Sequence, residues 1–174
     1  MAARLITAPV TFPVTLAEVK AMIRVTDSDE DAVIQSLIDA AVAALDGRSG
    51  WLGRAIMSQV WAEDFTGSGP WVLALPDVSE PSLTVTVDGV SVASISRTVT
   101  AGAEGPILTL LVGGGDAVAV QYSCQMSAAQ LKVAKALIGL LVDYWYANRS
   151  AGADPEGLPP AVLALIGSLR WHGV

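Results

Sequence analysis

The chain has 174 residues, of which 52% are hydrophobic and only 16% are charged, and its formal net charge is −7. A chain of this length can bury a core as one domain. The charged fraction is low for a soluble domain, which indicates apolar surface that is covered by partners. The acidic balance argues against a protein that wraps nucleic acid, because phosphate contacts need clustered Lys and Arg.

A membrane span is not expected either. The best apolar run, residues 133–145, is shorter than the roughly 20 residues that a span needs and is interrupted by Lys135 and Asp143. No basic and apolar series near residue 1 predicts a signal peptide. Burial between subunits, assembled in the cytoplasm, therefore explains the apolar excess better than a membrane does.

Two helices are predicted in the N-terminal part, after an extended segment over residues 8–13. Thr15 and Glu18 lie three apart, as in a capping box, and the apolar spacing that follows predicts a helix over residues 16–24. The acidic residues at 27–31 favour a second helix start, because negative charge is stabilised at a helix N-terminus. Apolar residues then recur at helical spacing as far as Leu45, and Gly47 is a typical stop.

The middle of the chain predicts about five or six strands. Residues 57–65 and 71–75 have the composition of strands, and residues 83–87 and 90–95 form a predicted hairpin across Asp88-Gly89. Residues 107–112 and 117–123 flank a glycine-rich turn and are predicted to be a further pair.

The C-terminal part predicts a long helix and a short one. Ser127 and Gln130 repeat the capping-box spacing at the start of the long helix, which runs into the aromatic cluster at residues 143–149. After a break rich in Gly and Pro, Pro159-Pro160 begins the last helix. The predicted fold class is α+β, a small helical bundle with an inserted antiparallel β subdomain. We expect one domain over residues 1–174, with its helical core in residues 14–55 and 127–172 and its β insertion at about 56–123.

No pattern predicts a catalytic, cofactor or metal site. The acidic run at 27–31 resembles the start of a calcium loop, but Ala32 and Ile38 stand where that loop needs Gly and Glu. His172 is the only histidine, which argues against a serine triad or a histidine-based metal site. We therefore expect no enzyme, no cofactor and no metal.

The long helix has two apolar faces. One contains Leu131, Ala134, Ile138, Leu141 and Trp145, and the other contains Val133, Leu137, Leu140 and Tyr144. Core packing is the ordinary explanation of such spacing. The alternative is that one face packs on the domain and the other on a neighbouring subunit, where tryptophan is enriched.

Several segments in order carry a family resemblance. They are Pro13–Lys20, Arg24-Val25 with the acidic run, Gly50–Ile56, Tyr144–Arg149 and the helix that begins at Leu158-Pro159-Pro160. Together they resemble the head–tail connector, or adaptor, family of long-tailed bacteriophages and related gene transfer agents.

The resemblance implies a structural virion protein of the neck, assembled in the bacterial cytoplasm. Such adaptors form a ring of about a dozen copies under the portal protein, extend the channel through which double-stranded DNA passes without specific binding, and offer a docking surface to a stopper or tail-terminator protein. The candidate contacts with a neighbouring subunit or the portal are Tyr144, Trp145, Tyr146, Arg149, Leu158 and Trp171. The alternatives are another tail-completion or stopper subunit, or a small cytoplasmic enzyme or regulator.

Overall fold

A computed structural model describes residues 3–111, 115–148 and 157–171. The chain divides into two compact units. The helical unit comprises residues 11–56 and 127–170, and the β unit comprises residues 1–10, 57–126 and 171–174. The predicted α+β class is confirmed, with helices and antiparallel sheets in one chain.

The helical unit is built around its longest helix. Its helices are α1 (Leu16–Ile23), α2 (Asp31–Leu45), α3 (Ala128–Ala147) and α4 (Pro160–Leu169). Helix α3 packs against the other three, and α1 also packs against α2. Fully buried side chains from α1, α2 and α3 form the core, among them Val19, Ile34, Ile38, Leu45, Leu137, Ile138 and Leu141.

Local sequence signals set the starts of α1 and α3 as predicted. The Thr15 hydroxyl accepts from the Glu18 backbone N–H at 3.2 Å, and the Glu18 carboxylate accepts from the Thr15 N–H at 2.8 Å. Ser127 and Gln130 make the same reciprocal pair at the start of α3. Both capping boxes are therefore confirmed, and each satisfies two backbone donors that the helix itself leaves without partners.

A compact turn follows α2. Its C-cap residue is Asp46, whose carboxylate accepts from the Ile56 N–H at 2.7 Å, while the Gly47 N–H donates to the Arg54 carbonyl at 2.9 Å. Gly47 has a φ of 78°, which favours glycine. A Cβ on Gly50 would lie 2.3 Å from the Asp46 carbonyl oxygen, so glycine is required there too.

The described residues of the β unit form eight strands in two antiparallel sheets. The strands are β1 (Arg4–Thr7), β2 (Gln59–Gly67), β3 (Trp71–Val72), β4 (Val78–Val87), β5 (Val90–Ser91), β6 (Arg97–Ala101), β7 (Pro106–Leu110) and β8 (Gly115–Cys124). The five-stranded sheet has the order β1-β2-β8-β4-β5, and the three-stranded sheet has the order β3-β7-β6. A single turn of 3₁₀ helix, Ser94–Ser96, lies between β5 and β6.

The hairpin prediction is confirmed at its turn. Strands β4 and β5 pair across Asp88 and Gly89, whose φ angles of 49° and 81° are both positive, as a two-residue type I′ turn requires. The second strand is shorter than predicted, because the chain enters the 3₁₀ turn soon after Ser91.

The prediction that residues 107–112 pair with residues 117–123 is wrong. Strand β7 pairs with β3 and β6, whereas β8 lies between β2 and β4 in the other sheet. Apolar alternation identifies a strand but not its partner, which can be distant in sequence. Strands β1 and β6 were also not predicted. No helix in the described part of the chain is long and apolar enough to cross a membrane.

Candidate subunit interface

The aromatic cluster at the end of α3 makes contacts within its own unit. The half-buried Tyr144 donates its hydroxyl hydrogen to the Gly157 carbonyl at 2.9 Å. Because Gly157 lies just before α4, this bond connects the end of α3 with the start of the last helix. Tyr146, also half-buried, donates to the carboxylate of Glu30, the N-cap residue of α2.

Two of the predicted interface residues are buried inside a single copy. The side chain of Trp145 is only 8% exposed, and Leu158 is buried as well. These positions stabilise the helical unit itself, as core packing predicts for the first apolar face of α3. The indole N–H of Trp145 is buried and finds no acceptor among the described residues.

The other predicted interface residues are divided between the two units and the part of the chain that is not described. Trp171 falls in the β unit, where its side chain is half-buried. Arg149 lies outside the described residues. The assignment of these six side chains to a subunit or portal contact therefore stays a prediction.

Larger apolar exposure is found elsewhere on the helical unit. Met22 on α1 is 49% exposed and Leu140 on α3 is 42% exposed. Leu140 belongs to the second apolar face that the sequence indicates for the long helix. Met22 was not singled out from the sequence, since its exposure depends on how α1 lies against α3.

Helices α1 and α3 run side by side in the same direction. The Lys135 ammonium lies 2.9 Å from the Glu18 carboxylate, and one turn further along both helices the Met22 sulfur lies over Gly139. A Cβ on Gly139 would come within 2.3 Å of that sulfur, so the glycine allows the close approach. The hydrogen bond from Lys135, followed by that from the Thr15 N–H, lowers the pKa of Glu18.

The β unit contains a buried polar group of a structural kind. The buried Glu63 accepts a hydrogen bond from the Tyr122 hydroxyl and another from the Ala74 N–H at 2.9 Å. Burial, and then the negative charge of Glu63, raise the pKa of Tyr122 far above its ordinary value. This arrangement connects β2 and β8 to the segment before β4, and its tyrosine stays protonated.

Two open grooves in the described part of the β unit do not gather the groups of an active site. A groove of about 340 Å³ contains Arg97, whose guanidinium donates to the carbonyls of Leu83 and Val92, the latter at 3.1 Å. A smaller groove of about 150 Å³ contains Arg4 and Asp64, which form an exposed ion pair at 3.6 Å. Within the described ranges, no three His, Cys, Asp or Glu side chains lie together as a metal site.

Comparison with known proteins gives one sequence match and several structural matches. Residues 13–65 match the model of the family described as phage gp6-like head-tail connector protein. These residues include α1, α2, the turn after α2 and most of β2. No curated protein matches the sequence.

The structural matches extend over the whole chain. A chain from the neck of an empty gene transfer agent particle, computed with C6 symmetry, is 22% identical and has a TM-score of 0.70. A chain from the neck of the native particle, computed with C12 symmetry, is 21% identical with a TM-score of 0.69. A chain from the virion of the native particle is 21% identical with a TM-score of 0.68. Each match covers 100% of this chain and 97% of the other.

These findings confirm the resemblance indicated by the sequence. The structural similarity extends to the β unit, where the family match does not reach beyond residue 65. The chain thus has a sequence match to the phage gp6-like head–tail connector family over residues 13–65, and over its full length it has the fold of gene transfer agent neck proteins.

Proposed function

We propose that this protein is a head–tail connector subunit of the virion neck, which forms a ring between the portal protein and the stopper or tail. The observation that carries the proposal is the similarity of the entire chain to neck chains of gene transfer agent particles. The family match over residues 13–65 supports it independently, since that match comes from sequence. One neck structure has C12 symmetry, which agrees with a ring of about twelve copies.

The chain forms one adaptor subunit in this proposal, and the helical and β units are parts of it. The six residues predicted from the sequence, Tyr144, Trp145, Tyr146, Arg149, Leu158 and Trp171, divide by burial. Trp145 and Leu158 act through the stability of the helical unit, because they are buried in one copy. Tyr144 and Tyr146 are half-buried and reach its surface, where a portal or neighbouring copy would contact them.

The charge distribution supports passage of DNA without tight binding. The β unit contains seven acidic and two basic residues, a formal charge of −5, and the helical unit contains ten acidic and eight basic residues, a formal charge of −2. Both basic side chains of the β unit, Arg4 and Arg97, are engaged by groups of that unit. Such a surface repels phosphate, so DNA can move past it without being held.

A catalytic role is not part of the proposal. The most deeply buried carboxylate in the described residues, Glu63, is bonded to Tyr122 and Ala74, which gives it a structural task. The head–tail connector family is a structural class and not a class of enzymes.

The proposal is tested by mixing the purified protein with its portal protein and imaging the product by electron microscopy. We expect a ring of about twelve copies on one end of the portal, and particles made without this chain should contain filled heads that lack tails. A protein that stays monomeric at all concentrations and does not bind the portal would overturn the proposal. Turnover of a substrate by the purified chain would favour the enzyme alternative.

A further inference from the structure

We propose that neighbouring copies meet through a specific pair of surfaces on the helical unit. The first, the seam patch, consists of Met22, Ala136 and Leu140 with the basic side chains Arg24 and Lys132. The second, the α2 face, is the exposed side of α2 and consists of Ala32, Val33, Ser36, Ala40 and Ala43. The proposal rests on the ring described above and names the contact that builds it from a second copy of this chain.

The seam patch is an apolar surface where α1 and α3 lie together. Lys132, Ala136 and Leu140 follow at four-residue intervals on α3, so they form one exposed stripe. Met22 extends the stripe from α3 toward α1. The Met22 side chain lies over Gly139, and about half of the surface of Met22 is exposed. The result is a ridge of two large flexible side chains beside a small one.

Positive charge borders the seam patch. Arg24 and Lys132 are exposed, and within the described residues neither has a carboxylate close enough for an ion pair. Lys135 and Glu18 neutralise each other at 2.9 Å. Asp143 lies one turn beyond Leu140 and ends the patch on that side. A partner of opposite charge is therefore attracted to the α1 side and to the N-terminal part of the stripe.

The α2 face has the complementary properties. Its exposed residues are mostly small, so that another helix can approach closely, with one larger apolar side chain: Ala32, Val33, Ser36, Ala40 and Ala43. The charge here is acidic: Asp39 on α2 and Asp29 just before the helix are both exposed, and the sequence contains no Lys or Arg between residues 25 and 47.

The two surfaces match in both shape and charge. Large side chains on the seam patch meet small ones on the α2 face, as ridges meet grooves in helix packing. Basic residues at the border of one meet acidic residues on the other, which selects this pairing over contacts between like surfaces. Because the surfaces lie on different elements, the contact is head-to-tail, and such contacts close into rings when the rotation permits.

Site-directed cross-linking tests the inference directly. Copies that carry Val33→Cys are mixed with copies that carry Leu140→Cys, under conditions where the protein has assembled, and treated with a short bismaleimide. We expect a cross-linked pair from the mixture, and a ladder beyond the dimer from a doubly substituted protein. The native Cys124 is buried, so the unsubstituted protein is a control for background reaction.

Leu163→Cys on α4 is the matched control for Leu140→Cys, because Leu163 has nearly the same exposure on another helix. We expect little product between Leu163→Cys and Val33→Cys. Charge reversal gives a second readout: Lys132→Glu should raise the concentration needed for assembly by about three- to tenfold, and Asp39→Lys in the same chain should recover much of that loss.

The outcomes separate this inference from the proposed function. A ring that forms normally but yields equal cross-linking from Leu140→Cys and Leu163→Cys would overturn the proposed contact and leave the connector role intact. A product from Leu140→Cys copies alone, ending at the dimer, would also overturn it, because that indicates a symmetric contact. Failure of the unsubstituted protein to form any ring, with or without portal, would overturn both.

Discussion

The helical unit and the β unit differ in how far apart in sequence the residues lie whose contacts determine their structure. In the helical unit, α1 and α3 begin through contacts within three residues, the capping boxes at Thr15 and Ser127. In the β unit the central strand β8 pairs with β2 and β4, neither of which is its neighbour in sequence. Local chemistry therefore specifies the first unit, while the second depends on contacts that form between distant segments.

The largest effect is expected from removing the central aromatic residue of the helical unit. Trp145→Ala should lower the free energy of unfolding by about 3–5 kcal/mol, because a buried indole is replaced by a cavity. Urea denaturation measures the loss, and hydrogen exchange shows whether amides of the β unit keep their protection.

Leu140→Ala is the control on the same helix. Because Leu140 is exposed, this substitution should lower the free energy of unfolding by less than about 0.5 kcal/mol. A Trp145→Ala protein that is as stable as the unsubstituted one but fails to assemble would contradict the core role. If amides of both units lose protection together, the two units unfold as one cooperative unit. They would then differ in their sequence signals but not in their stability.

The corresponding change in the β unit is Tyr122→Phe. This substitution should lower the free energy of unfolding by about 1.5–3 kcal/mol, because the buried Glu63 loses a hydrogen bond from the tyrosine hydroxyl. Thermal or urea unfolding checks this value. Tyr144→Phe is the control, since Tyr144 is only half-buried and its bond to Gly157 is between neutral groups.

The pH dependence of stability gives a second readout at Tyr122. Burial and the charge of Glu63 raise the pKa of Tyr122, so its contribution to stability is complete below the ordinary phenol pKa of about 10 and is lost as the pH rises beyond it. The unsubstituted protein should therefore lose stability more steeply above that pH than Tyr122→Phe does. Equal slopes would mean that the hydroxyl is not held in its protonated form.

The same difference explains how much could be predicted from the sequence. All four helices were predicted close to their observed bounds, because apolar spacing and capping residues are local. The pairing of β7 with β8 was predicted wrongly, since sheet neighbours are chosen by packing across the whole unit. At the candidate interface, the second apolar face of α3 indicated Leu140. The position of Met22 over Gly139 depends on the alignment of two helices and left no sequence signal.

A smaller effect is expected from the helix caps. Thr15→Ala should cost about 1 kcal/mol, because the Glu18 N–H loses its acceptor at the start of α1. Ser127→Ala at the start of α3 is the matched change and should cost a similar amount. Urea denaturation of both variants checks whether local signals contribute equally. A cost near zero at both positions would show that packing, and not capping, determines where these helices begin.

The smallest effect concerns the ion pair along the seam between α1 and α3. Lys135 lowers the pKa of Glu18, and Lys135→Met should raise that pKa toward its ordinary value, which an NMR titration of the Glu18 carboxyl measures. Because the folded pKa is lowered, the stabilisation is present above the ordinary carboxyl range and is lost as the pH falls through the folded pKa. Lys132→Met, four residues earlier on the exposed stripe, should leave the pKa of Glu18 nearly unchanged. If both substitutions raise it equally, the general positive charge of α3 is responsible, and the close alignment of the two helices at Glu18 and Lys135 is not.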